Sequence, residues 1–117
     1  MSNLSEDMRK YVDQFHDMFK KIQEVDPAYA KAFMGLVKES EKDGALSMKV
    51  KELISVALGV AARCPFCIAL HVKNAIDAGA TKQEVLEAAF VAGLMGGGPA
   101  FTYIKYVFDA CEQFGAK

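Results

Sequence analysis

Three features of the sequence predict an all-α protein, a bundle of about six helices forming one domain over residues 1–117. Apolar residues recur at three- and four-residue steps along most of the chain. Helix-ending and helix-starting residues fall between those runs, and no segment shows the strict alternation of a half-buried strand.

The first helix is marked by Leu4, Met8, Tyr11, Phe15, Phe19 and Ile22, with Lys, Asp and Gln between them. Asp26-Pro27 ends it and can open the second, with Asp26 as N-cap and Pro27 at the first helical position, where a missing N–H costs nothing. Tyr29, Phe33, Leu36 and Val37 are expected to form the buried face of that helix, which Lys42-Asp43-Gly44 terminates. From Met48 to Ala62 the chain is apolar almost all round, through Leu53, Ile54, Val56, Ala57, Leu58, Val60 and Ala61, so this third helix should be central and covered on most sides.

Arg63-Cys64-Pro65 interrupts it, because proline disfavours helical geometry in the residue before it and suits the start of a new helix. The fourth helix then runs from Pro65 to about Ala78, with Gly79 as its stop. Thr81-Lys82-Gln83-Glu84 has the form of a capping box, which opens a fifth helix reaching about Met95. After Gly96-Gly97-Gly98, Pro99 opens the sixth, which carries Phe101, Ile104, Phe108, Cys111 and Phe114. Met8, Met18, Met34, Met48 and Met95 read as core filling.

Hydrophobic residues make up 52% of the 117, more apolar material than a lone small helical domain buries, and self-association is the natural outlet. Fourteen basic and fifteen acidic residues give a formal charge of −1, with no dense basic run, so nucleic acid is not expected as a partner. The polar, acidic start of the chain does not resemble a secretory leader, and Gly96 to Pro99 interrupts the longest uncharged stretch, so a cytoplasmic protein with no membrane span is expected. In a reducing compartment, two cysteines at C-x-x-C spacing point to redox or metal chemistry rather than to a structural framework.

That pair is Cys64-Pro-Phe-Cys67. If Cys64 caps the fourth helix, its sulfur faces the free N–H groups of the first turn, where the positive end of the helix dipole supports a thiolate. Cys67 and His71 are four residues apart and share a helix face, so the imidazole can take the Cys67 proton. Glu52 is the candidate partner for His71. Stepping from Glu52 through Val56 and Gly59 to Arg63 keeps to one face, and Gly59 would let the fourth helix approach closely. By axial rise Glu52 lies ~18 Å before Cys64 and His71 only ~10 Å after it. A bridging water or a non-helical turn at Ala62 to Cys64 is needed to absorb that offset.

A Glu, eleven residues, Cys-x-x-Cys, three residues and His resembles the pattern of the alkyl hydroperoxidase D-like, carboxymuconolactone decarboxylase-related family, over about Lys49 to Phe114. The resemblance implies an all-helical homo-oligomer, often a trimer of dimers, with Cys64, Cys67, His71 and Glu52 as catalytic residues and no cofactor. It further implies attack of a Cys67 thiolate on a peroxide, a sulfenic acid, closure of a Cys64–Cys67 disulfide, and reduction by a lipoyl or thioredoxin-like dithiol. The best-known hydroperoxidase of the family carries a second His between the cysteines, where this chain has Phe66. Members that decarboxylate a muconolactone lack the cysteine pair, which makes a cofactor-free decarboxylase the alternative reading.

A metal-stabilised module is the other alternative, with Cys64, Cys67 and His71 joined by His16 or Cys111. Structural zinc sites draw on a second clustered pair that is missing here, so no metal is expected. Cys111 fits a core position, His16 a solvated one, and Glu52 alone could pair with Lys49 or Lys51. Gly96-Gly97-Gly98 lacks the Lys-Ser/Thr of a phosphate-binding loop and reads as a helix break.

Overall fold

A computed structural model describes residues 5–117, so Leu4 of the first stripe lies outside the described residues. Within them the chain is helical throughout: α1 (Arg9–Val25), α2 (Pro27–Glu41), α3 (Met48–Ala61), α4 (Pro65–Asp77), α5 (Lys82–Gly96), α6 (Gly98–Phe101) and α7 (Ile104–Gln113). The expected six helices are present, the sixth being split into α6 and α7. At the split Tyr103 N–H donates to Ala100 O and Tyr106 N–H to Tyr103 O, so the backbone tightens to i→i+3 bonding for a turn.

The helix boundaries follow the local chemistry. Asp26 accepts the Tyr29 N–H at 3.0 Å, Ser47 Oγ the Val50 N–H at 3.1 Å, and Thr81 and Glu84 form both halves of the capping box. Helix α1 has no side-chain cap of its own. Instead Gln113, at the far end of the chain, accepts the Met8 N–H at 2.7 Å, while buried Asp109 accepts the Glu6 N–H at 3.1 Å. Tertiary contact thus fixes a helix start that no nearby residue signals.

The antiparallel pair α3–α4 is the centre. Helix α3 packs on α4 and α5, and α4 also packs on α1 and α7. Val56 and Val60 of α3, Ile68 and Val72 of α4, Val85 of α5 and Val107 of α7 are fully buried, each worth roughly 1.5–3 kcal/mol of apolar transfer. No helix among the described residues is long and apolar enough to cross a membrane.

Three expectations about the core are overturned. Tyr29, Phe33 and Leu36 of α2 are exposed, and only Ala30 of that helix is buried. Helix α3 buries one face, Glu52, Val56, Gly59 and Val60, but leaves Val50, Ile54 and Leu58 exposed. Of the five methionines read as core, Met8 is buried, whereas Met18, Met34, Met48 and Met95 are exposed. The common reason is that helical spacing shows which face is apolar and not whether this chain supplies the surface that covers it. Phe101 and Phe108 on the last two segments are exposed as well.

Candidate functional site

The turn between α3 and α4 builds the site. Arg63 N–H donates to Val60 O and Cys64 N–H to Gly59 O, both at 3.0 Å, the double bond pattern of a Schellman stop. Arg63 occupies the left-handed position of that motif at φ +54°, where glycine is usual. Cys64 then adopts extended geometry as N-cap of α4, Pro65 takes the first helical position, and Cys64 Sγ accepts the Cys67 N–H at 3.2 Å. The sulfur therefore sits in the field of the helix N-terminus, as its place before proline suggests.

On the same hairpin His71 Nδ1 and Glu52 Oε1 are 2.7 Å apart, a direct contact with no bridging water between them. The tight turn at Ala62 to Cys64 absorbs the axial offset. Gly59 sets the helix spacing: a Cβ there would lie 3.1 Å from Cys67 Cβ and 3.3 Å from the Ile68 nitrogen. The ion-pair alternatives for Glu52 are otherwise engaged, since Lys49 pairs with Glu84 at 3.0 Å and Lys51 Nζ donates to Lys42 O at 2.6 Å. Glu52 is buried and His71 half-buried.

Both cysteines of the pair are free and half-buried. Burial, then the adjacent Cys64 sulfur, pushes the Cys67 thiol up to about 12. Among the described residues no hydrogen bond joins His71 to Cys67, although the two share a helix face. Cys111 is buried in the core of α7, where desolvation pushes its thiol up to about 11, and His16 is exposed on α1. Among the described residues neither joins the cysteine pair in a cluster of metal-capable side chains.

One site residue has no signal in the cysteine spacing. Glu41, the last residue of α2, brings Oε2 to 3.8 Å from His71 Nδ1, and the ligand atoms of Glu41, Glu52 and His71 lie within 4.8 Å of one another. Burial, and then the neighbouring Glu52 carboxylate, holds the Glu41 carboxyl above the usual carboxylate range, with His71 acting in the opposite direction. Glu41 sits beyond a loop from α3, so only the tertiary fold brings it here. A cleft of about 420 Å³ opens beside it, lined by Val37, Ser40, Lys51, Ile54, Ser55 and His71 among others. Phe66, between the cysteines, faces the other way, stacked edge-on to Tyr11 at 5.0 Å and beside a hollow with Phe15 and Met18.

An all-helical domain whose central hairpin carries a dithiol at one turn and a His–Glu pair along its flank defines the class. Residues 27–110 match the carboxymuconolactone decarboxylase family, and the chain belongs to that family. An uncharacterised protein of Cupriavidus necator is 33% identical over 110 residues, covering 92% of this chain and 97% of that protein. A protein of the cox locus of Paracoccus denitrificans is 43% identical over 82 residues, covering 70% and 74%. A family member from Legionella pneumophila superposes with a TM-score of 0.89 at 35% identity, over 94% of this chain and 98% of that one. A Thermotoga maritima member whose description raises an antioxidative role superposes at 0.75, over 92% and 97%, and at 24% identity it shows the fold alone.

Proposed function

We propose that this chain is a thiol-dependent oxidoreductase that reduces a peroxide or a small disulfide through Cys64 and Cys67, with His71 and Glu52 carrying the proton. The observation that carries this reading is the single hairpin holding both halves of the chemistry. At its turn the Cys64 sulfur takes the Cys67 N–H at the start of α4, and along its flank lies the 2.7 Å His71–Glu52 pair.

The geometry favours Cys64 as the first nucleophile: its sulfur caps α4 and faces the helix N-terminus, while burial, then the adjacent Cys64 sulfur, pushes the Cys67 thiol up. This reverses the order that histidine spacing suggests. The Cys64 thiolate attacks one peroxide oxygen, the O–O bond breaks, and the departing alkoxide takes a proton from His71 to leave as alcohol. The resulting sulfenic acid is attacked by Cys67, whose proton returns to His71; the S–O bond breaks and hydroxide leaves, protonated, as water. The sum is a thiolate, a thiol, ROOH and one proton giving a disulfide, ROH and water. A lipoyl or thioredoxin-like dithiol then reduces the disulfide by exchange, returning both thiols.

Family resemblance supports a homo-oligomer built as a trimer of dimers, and the exposed apolar residues of α2, α3 and α5 fit such an assembly. A reducing cytoplasm suits a dithiol that must be returned to its free form.

Thiol titration and intact mass after one equivalent of hydrogen peroxide or an organic hydroperoxide test the reading. Wild type should lose two thiols and two mass units, reversibly with dithiothreitol, while Cys67→Ser forms no such bond and buried Cys111 stays free. Two persistent thiols under every peroxide and disulfide tried would remove the redox reading and return the chain to non-redox chemistry, such as decarboxylation, within its family.

A further inference from the structure

The His71–Glu52 pair has a sealed side. Nδ1 of the imidazole faces two carboxyl groups: Glu52, whose side chain is 3% exposed, and Glu41, whose side chain is 25% exposed. A proton held between Nδ1 and Glu52 has Glu41 as its neighbour toward solvent. Glu41 lines the cleft it shares with His71 and Ser55, and also a second hollow shared with Glu52, Asn74 and Asp77.

The geometry points to Glu41 as the solvent port of the His71–Glu52 pair, a positioning carboxyl that exchanges protons between bulk water and the buried Glu52 side of that pair. In its effect on rate this rests on the redox reading above, where each disulfide formed from a thiolate and a thiol takes up one proton. In its effect on the titration of the site it rests on the geometry alone. Burial, and then the neighbouring Glu52 carboxylate, makes the Glu41 carboxyl hold its proton more firmly than an ordinary carboxylate does. The charged and titratable groups around it are His71 and Asp77 on α4, Glu52 and Lys51 on α3, and Lys38 and Lys42 at its own end of α2.

The test uses the full chain, with Glu41→Gln, which keeps shape and hydrogen bonding but cannot carry a proton, and Glu39→Gln as control. Glu39 is exposed and pairs with Lys42 rather than with His71 or Glu52. Proton NMR of the His71 ring across the acid range should show a step above the ordinary carboxylate titration, lost in Glu41→Gln and kept in Glu39→Gln, with the exposed His16 ring as internal reference. Single-turnover thiol loss with peroxide in dilute buffer should slow by about tenfold in Glu41→Gln and recover on adding formate or imidazole, small acids that fit the cleft.

A Glu41→Gln protein with the wild-type His71 titration, or a slowed protein that no small acid restores, overturns the port. Should wild type consume no thiol with any peroxide or disulfide, the redox reading fails separately. The His71 step then decides alone: its presence in wild type and loss in Glu41→Gln supports the linkage, and its absence from wild type overturns it.

Discussion

The α3–α4 hairpin and helix α2 both carry apolar residues at helical spacing, yet they end in opposite environments. On the hairpin Val56, Val60, Ile68 and Val72 are fully buried, while on α2 Leu36 is 64% exposed and Ala30 alone is buried. The hairpin satisfies itself, since α3 and α4 cover each other and α1, α5 and α7 close over the rest. Helix α2 packs mainly along α1, and among the described residues nothing covers its outer face. Even so, the last residue of α2 reaches into the site the hairpin builds. The packed hairpin fixes the cysteines and the His–Glu pair, and the peripheral helix places Glu41 beside them.

The largest effects should come from breaking the hairpin and not helix α2. Ile68→Ala, at a fully buried position, is expected to cost about 2–5 kcal/mol. Leu36→Ala on the exposed face of α2 should fall within about 0.5 kcal/mol of zero in dilute protein. Chemical denaturation at two protein concentrations checks both. If the Leu36 effect grows with concentration, a second copy covers α2; if it equals that of Ile68 at high dilution, the outer face of α2 is as buried as the hairpin.

A smaller effect is expected where the two halves of the hairpin touch most closely. Gly59→Val would push side-chain carbons against the α4 backbone at Cys67 and Ile68, at a cost of about 1–3 kcal/mol. Because that contact sets the distance between α3 and α4, the same substitution should slow peroxide-driven thiol loss more than its stability change explains. A variant with wild-type oxidation kinetics would show that the site tolerates a wider hairpin.

The smallest concerns two helix stops with the same hydrogen bonds and different residues. At the end of α4, Gly79 at φ +96° lets Gly79 N–H reach Ile76 O and Ala80 N–H reach Ala75 O, repeating at a surface stop what Arg63 does at φ +54° beside the cysteines. Arg63→Gly should gain up to about 1 kcal/mol by relieving a left-handed non-glycine residue, and Gly79→Ala should lose about 1 kcal/mol. Thermal unfolding reads both. If Arg63→Gly stabilises the fold but slows the dithiol, the arginine at this strained position serves the site.

Much of this fold was legible because its signals are local. Asp26-Pro27, Cys64-Pro65, Gly79 and the Thr81–Glu84 capping box each satisfy or terminate backbone groups within a few residues, and each stands where the sequence places it. The spacing of Glu52, Cys64, Cys67 and His71 was legible too, since those residues lie on two consecutive helices joined by one turn. The turn itself was undetermined: a left-handed arginine, rather than a water, closes the gap, and arginine carries no signal for that backbone.

What the sequence determined by itself was the set of helices, the ends that carry a local cap or stop, and the apolar positions along them, because hydrogen bonding and side-chain period act over a few residues. Only the tertiary structure decided which faces are covered, that Gln113 and Asp109 anchor the start of α1, and that Glu41 stands beside His71. Those contacts join residues far apart in the chain, and their free energy depends on the distances the packed helices impose, which no local pattern encodes.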